Sequence, residues 1–297
     1  MTVHSTPPAR DKRHLKGLTV TVLGVLVLTP DGVLTSLVSA APLTQSFWRG
    51  LFMAIALCAF VILRYGRGAP AVFGRLRSRP HLAVGFLFAM SSIGWVLAIT
   101  STSVANTLFI VACAPLFSTI FAWVFVGERT SPHTIVAILI AIGGIAVIFA
   151  EGLGRGDLFG NLAAVGTAFA WAGMVVILEH AKIEDPAPSL ALGGVLVALV
   201  TLVAAPTLAV SGTDLGWIAV LGFIILPVSF FLIGLGPQYI PAPEVSLIML
   251  LEAVIGPFWA WLFIAQVPSD RTLVGGFVIL ATLAVHFTFG LRGSRAA

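Results

Sequence analysis

The sequence predicts an all-α polytopic membrane protein: ten transmembrane helices arranged as two inverted five-helix repeats. Three observations predict it. The first is composition. Of 297 residues, 59% are hydrophobic and 9% charged, with a mean hydropathy of +1.07. A soluble domain carries about 25% charged residues. The apolar runs are long and unbroken, and only a helix satisfies its own backbone polar groups in lipid over such a run. A transmembrane barrel would need short alternating strands instead. The second observation is an internal repeat. Sliding the chain by 138 residues lays "STIFAWVFVGERTSPHTIV" (Ser118–Val136) under "GPFWAWLFIAQVPSDRTLV" (Gly256–Val274) without a gap. Ala122-Trp123 then meets Ala260-Trp261, Phe125 meets Phe263, and Ser131 meets Ser269. The third is the placement of positive charge.

The ten spans follow in order, near residues 18–40, 46–64, 81–100, 104–126, 134–150, 159–179, 189–211, 215–237, 245–266 and 272–291. Each approaches the ~20 apolar residues that cross a bilayer. The first follows the basic stretch "RDKRHLKG" and imitates a secretory signal. Its apolar part is longer than a signal core and holds Asp31, so a retained helix is expected. Pro30, Asp31 and Gly32 stand together inside it, and proline beside glycine weakens a helix. The connections are short, and no soluble domain fits between spans. Two halves result, residues 1–150 and 151–297.

Lysine and arginine give the orientation. With the N-terminus placed in the cytoplasm, thirteen basic residues fall on the inner side and two, Arg155 and Arg271, on the outer. Arg49 lies just inside the outer end of span two. This is a strong positive-inside bias, with both termini cytoplasmic. Five spans per half means that the second half enters the membrane from the opposite side. Inverted repeats are a recurrent device of secondary transporters, with the binding site near the midplane between the halves.

With these features the chain resembles the drug/metabolite transporter superfamily, in its ten-helix EamA-type branch. The resemblance rests on two copies of one motif, "ACAPLFSTIFAWVFVGER" (Ala112–Arg129) and "LLEAVIGPFWAWLFIAQV" (Leu250–Val267), and on "LTQSFWRGLF" and "GNLAAVGTAFAWAGMVVIL". It departs from the family pattern where Gly127-Glu128 becomes Ala265-Gln266, and where Ala114-Pro115 stands opposite Glu252-Ala253. The resemblance implies export of small metabolites, amino acids or drugs across the bacterial inner membrane by alternating access. The layout is similar to the amino-acid exporters, including the aromatic amino-acid type.

Among candidate site residues Glu252 comes first. A charge near the middle of span nine costs about 2.5–3.5 kcal/mol even on the mildest scale. It must face a cavity, pair with a partner or stay protonated. By helical spacing it shares a stripe with Val245, Met249, Gly256 and Trp259, and the matched stripe of span four holds Thr107, Val111, Ala114, Ser118 and Phe121. Substrate-amine contact and proton carriage are its functional readings; a hydrogen bond locking the bundle is the structural one. Asp31 is its counterpart in the first half, as an ammonium contact, a proton relay or a helix cap. Arg49 is read as snorkelling to the interface or as an ion pair or gate with Asp31. Trp95, Trp171 and Trp259 are intramembrane aromatics suited to stacking or cation–π contact, with plain packing as the alternative. Ser91, Ser92, Thr107 and Asn106 supply polar groups, and His286 reads as packing.

Other functions find no support. No Walker sequence occurs, so ATP is not the expected driver. An embedded enzyme needs a constellation such as His-Glu-x-x-His or Gly-x-Ser-x-Gly, and a channel needs repeated polar rings. Cys58 and Cys113 have no metal or disulfide spacing. The expectation is a transporter with a small-molecule substrate in a lipid bilayer. It has no cofactor, no metal and no nucleic-acid partner. Protons are a candidate coupling ion. A monomer is expected, with oligomers left open.

Overall fold

The computed structural model describes residues 8–102, 104–149, 158–265 and 270–296. Among these the chain is helical and contains no strand. The first predicted span is a broken helix: α1 (Pro8–Leu28), a turn at Thr29–Pro30, then the short α2 (Asp31–Ser36). Next come α3 (Pro42–Tyr65), the short α4 (Ala69–Gly74) within the basic loop, and α5 (Arg79–Ser101). Span four divides into α6 (Val104–Val111), α7 (Ala114–Phe121) and a π-helical turn, Ala122–Val126, and span five is α8 (Pro132–Phe149). The second half repeats the plan. It holds α9 (Leu158–His180), α10 (Ala187–Ala204), then α11 (Gly212–Val220) running through a π turn into α12 (Leu226–Leu235). It ends with α13 (Ala242–Ile248), α14 (Leu251–Ile264) and α15 (Asp270–Ala296).

Eight of the ten expected spans are long and apolar enough to cross a bilayer. The fifth and tenth are shorter as apolar helices, Pro132–Ile148 and Leu273–His286. Both adjoin stretches that lie outside the described residues, 150–157 and 266–269. The expected boundary at 150/151, Arg155 and Ser269 fall in those stretches.

Helix pairing shows why this is one inverted pair and not ten independent helices. The principal contacts join α5 to α9, α3 to α10, α8 to α15, α5 to α10 and α1 to α12. Exchanging the halves turns the α5–α9 pair into α12–α1, maps α3–α10 and α8–α15 onto themselves, and turns α5–α10 into the contact of α3 with the π turn before α12. That is the pattern of a pseudo-two-fold axis. Glycines set the two self-matched contacts. A Cβ on Gly194 would stand 2.8 Å from the Gly50 carbonyl oxygen, and one on Gly50 would stand 2.9 Å from the Gly194 oxygen. Gly144 and Gly275 face each other in the same way, at 3.0 and 2.5 Å. Van der Waals packing is the main attraction between helices in lipid, so backbones that touch through glycine bind best.

The two motif copies break at matching places. Span four turns at Ala112–Cys113 and span nine at Met249–Leu250, within one residue of the 138-residue offset. Pro115 explains the first break, because it has no N–H to donate to the preceding turn. The second is a run of tightened bonds, Leu250 N–H to Leu247 O at 3.2 Å and Glu252 N–H to Met249 O at 3.0 Å. Span nine is therefore not the continuous helix that its apolar pattern predicts.

Candidate functional site

The breaks position the charges. Asp31 falls in the first turn of α2 and Glu252 in the first turn of α14. At such positions free backbone N–H groups and the helix dipole favour a carboxylate. Arg49 projects from the second turn of α3. All three line one cavity between the halves, with about 940 Å³ of atom-free space counted out to its open side.

Asp31 and Arg49 are committed to each other. Arg49 Nη2 donates to both Asp31 carboxylate oxygens, at 2.8 and 3.0 Å, and Arg49 Nη1 donates to Thr35 Oγ1. Their side chains are 6% and 8% exposed respectively, so this is a buried pair. Glu252 is different. Among the described residues no hydrogen-bond donor reaches its carboxylate. With both carboxylates ionised, the lining carries two negative charges and one positive, hence one net negative charge held by Glu252.

The walls are aromatic and weakly polar. Phe88 meets Phe230 edge-on at 5.0 Å between ring centroids, and Trp171 stands 5.9 Å from Phe230. Trp95 completes that side, while Ser91, Ser92, Thr167 and Ser246 add polar atoms. Trp171 is 7% exposed, and its indole N–H is buried without an acceptor among the described residues. Buried donors are nearly always paired, so this one is available to a ligand.

Residues 15–150 and 158–288 each match the EamA-like transporter family. The chain belongs to that family. It is a multi-pass membrane protein made of two EamA repeats, and the family's members move small molecules. The chain is similar to the pseudopaline exporter CntI of Pseudomonas aeruginosa, in strains UCBPP-PA14 and PAO1. Identity is 22% over 282 residues, covering 90% of this chain and 95% of the relative. A solved structure described only as a crystal structure of a protein superposes with a TM-score of 0.74. It is 19% identical, with 94% of this chain and 99% of that one covered. This last likeness concerns the fold alone.

Of the residues singled out in the sequence, Asp31, Arg49, Ser91, Ser92, Trp95, Trp171, Met249 and Glu252 line the cavity. Thr107 and Trp259 do not. Thr107 is fully buried, and its hydroxyl has no partner among the described residues. Trp259 donates its indole N–H to Thr29 Oγ1 at 2.8 Å, tying α14 to the break in span one. The Asn106 side chain lies outside the described residues. Phe88, Thr167, Phe230 and Ser246 also line the cavity and were not anticipated. The two phenylalanines sit in uniformly apolar runs that hold no signal. Thr167 was findable, as the hydroxyl one helical turn before Trp171 on α9.

Proposed function

We propose that this family member exports small amino-acid-like metabolites, and that Glu252 receives their ammonium group. The observation that carries this reading is the unpartnered Glu252 carboxylate beside a neutralised Asp31–Arg49 pair. A cation entering the cavity balances the charge, and in a low-dielectric cavity that attraction is strong. The Trp171 N–H and the hydroxyls of Ser91 and Ser92 offer donors to a carboxylate. Phe88, Trp95 and Phe230 offer apolar and π surface to a side chain. In this reading Asp31–Arg49 is a structural or gating pair, not a substrate contact. The protein sits in the bacterial inner membrane with both termini cytoplasmic, and exposes the cavity alternately to each side.

The test is efflux from proteoliposomes of labelled amino acids, their N-acetyl derivatives and their decarboxylated amines. Amino acids should leave faster than from protein-free vesicles. N-acetylation and Glu252→Gln should each slow efflux at least about tenfold, the scale of losing one charge-assisted bond. If no amino acid moves above the empty-vesicle rate, the substrate class is wrong. If N-acetyl derivatives move as fast as their parents, Glu252 does not read an ammonium. A second reading, export of a compound such as the pseudopaline named for the relative, rests on the similarity over 282 residues. Added to the same vesicles, such a compound would then compete with the amino acids.

A further inference from the structure

A second, larger recess opens at the end of the bundle where α1 begins. It is lined from α1, the turn after α7, α8, the end of α9, and α13. About two helical turns of protein separate it from the Glu252 cavity. Ala114 at the start of α7 lines the cavity and Ala122, just past its end, the recess; along α9, Trp171 lines the cavity and Glu179 the recess. Ser118 lies between them, fully buried, and its hydroxyl bonds that of Ser246 on α13 at 2.8 Å. Whatever moves α13 therefore opens or closes this partition.

The N-terminus of α13 carries an unusual group of side chains. Glu179 Oε2 accepts the Ala242 backbone N–H at 2.8 Å. Glu244, two residues on, has His14 Nε2 at 3.7 Å from one carboxylate oxygen and His286 Nε2 at 4.0 Å from the other. The His133 ring stands 5.4 Å from that of His286. These distances exceed hydrogen bonds, so a neutral imidazole gains little from them; an imidazolium at the same place gains an ion pair. The other charged groups around α13 are committed or sit at the recess wall. Arg13 donates to the Gln238 carbonyl at 2.9 Å, and Lys16 lies 4.7 Å over the Tyr239 ring. Glu128, Arg129, His180, Lys182 and Glu184 line the recess.

We propose that Glu244, His14 and His286 form a proton-binding site, separate from the substrate cavity, that holds the inner partition shut when occupied. A bound proton, on the Glu244 carboxyl or on the His14 imidazole facing it at 3.7 Å, relieves the repulsion between Glu244 and Glu179 and joins α13 to α1 of the other repeat. Without the proton, Glu244 and Glu179 place two carboxylates at one helix end with no cation between them, and α13 is released. Access to the substrate cavity from the end where α1 begins is thus governed by proton concentration on that side.

The experiment needs no substrate. The full-length protein in lipid nanodiscs is followed by amide hydrogen exchange at about pH 5.5 and about pH 8, corrected for the intrinsic pH dependence of exchange. In the wild type, residues 242–250 should exchange at least about fivefold more slowly at the lower pH. Glu244→Gln should abolish that difference, and so should His14→Gln/His286→Gln. Glu184→Gln, which changes a carboxylate at the same recess, should keep it. Equal corrected exchange at both pH values in the wild type overturns the proposal, as does an unchanged difference in Glu244→Gln. Should Glu244→Gln fail to fold, the double histidine variant decides in the same way.

Discussion

The two intramembrane carboxylates should respond oppositely when neutralised. Asp31→Asn keeps the side-chain shape and one acceptor oxygen but removes the carboxylate charge that the buried Arg49 guanidinium pairs with, leaving it an amide oxygen and Thr35. Both members of the pair are more than nine-tenths buried, so solvent screens them little. Removing one member of a buried pair costs about 3–5 kcal/mol. At roughly 2–4 °C per kcal/mol for a chain of this size, apparent melting should fall by about 6–20 °C. Arg49→Met removes the cation as well. The double variant Asp31→Asn/Arg49→Met should then recover at least about 2 kcal/mol, since no charge remains stranded. Glu252→Gln is the contrast. No donor is lost, so it should melt at or a few degrees above the wild type while efflux falls, the usual signature of a site that trades stability for function. The assay is thermal unfolding in detergent, read by aggregation-sensitive size exclusion at one scan rate, because unfolding here is a rate process. If Asp31→Asn melts within about 2 °C of wild type, the pair does not hold the fold. If Glu252→Gln falls as far as Asp31→Asn, Glu252 has a structural partner and is not the open charge of the cavity.

Three further outcomes follow from the fold. Gly194→Val forces methyl groups onto the Gly50 carbonyl, 2.8 Å from even a Cβ; overpacking of about 1–3 kcal/mol should lower the melting temperature and the yield of folded protein in detergent. Ala265 has φ +55°, where its repeat partner Gly127 has φ +76°. Ala265→Gly should therefore stabilise by up to about 1–2 kcal/mol in the same melt, the penalty of a left-handed L-residue. Trp259→Phe loses the bond to Thr29 and should cost about 1 kcal/mol in stability while efflux persists; loss of efflux with unchanged melting would instead place Trp259 at the substrate.

Most of the architecture was legible because lipid permits so few solutions. A run of ~20 apolar residues must be a helix, and an odd number of spans per repeat must invert the second copy. Paired Ala-Trp motifs at one offset then located the symmetry. What could not be read was where helices yield. Pro30 and Pro115 announce two breaks, but Met249–Leu250 contains neither proline nor glycine. Its tight turn comes from packing against the other repeat, and no local signal records it. Cavity membership failed at one position for a different reason. Thr107 shares the mixed stripe with Val111 and Ala114, which both line the cavity, but one turn earlier it is Leu108 that faces the cavity while Thr107 is fully buried.

The break at Met249–Leu250 changes the surroundings of Glu252. On a continuous helix, a midplane carboxylate faces the full desolvation cost and is best kept protonated or bonded to a neighbour. In the first turn of α14 it sits instead at the positive end of a helix dipole, although its own N–H is already bonded to the Met249 carbonyl. Asp31 uses the same device in α2 and adds Arg49. One protein thus carries two carboxylates at broken-helix ends, one neutralised and one left open. The symmetric partner of Glu252 is Ala114, at the start of α7, where an equivalent break carries no charge. The repeats supply two equal geometries for an anion, and only one holds a carboxylate. If the proposed reading of Glu252 holds, a cavity between two matched halves has one open carboxylate, and a bound zwitterion would be oriented in one direction only.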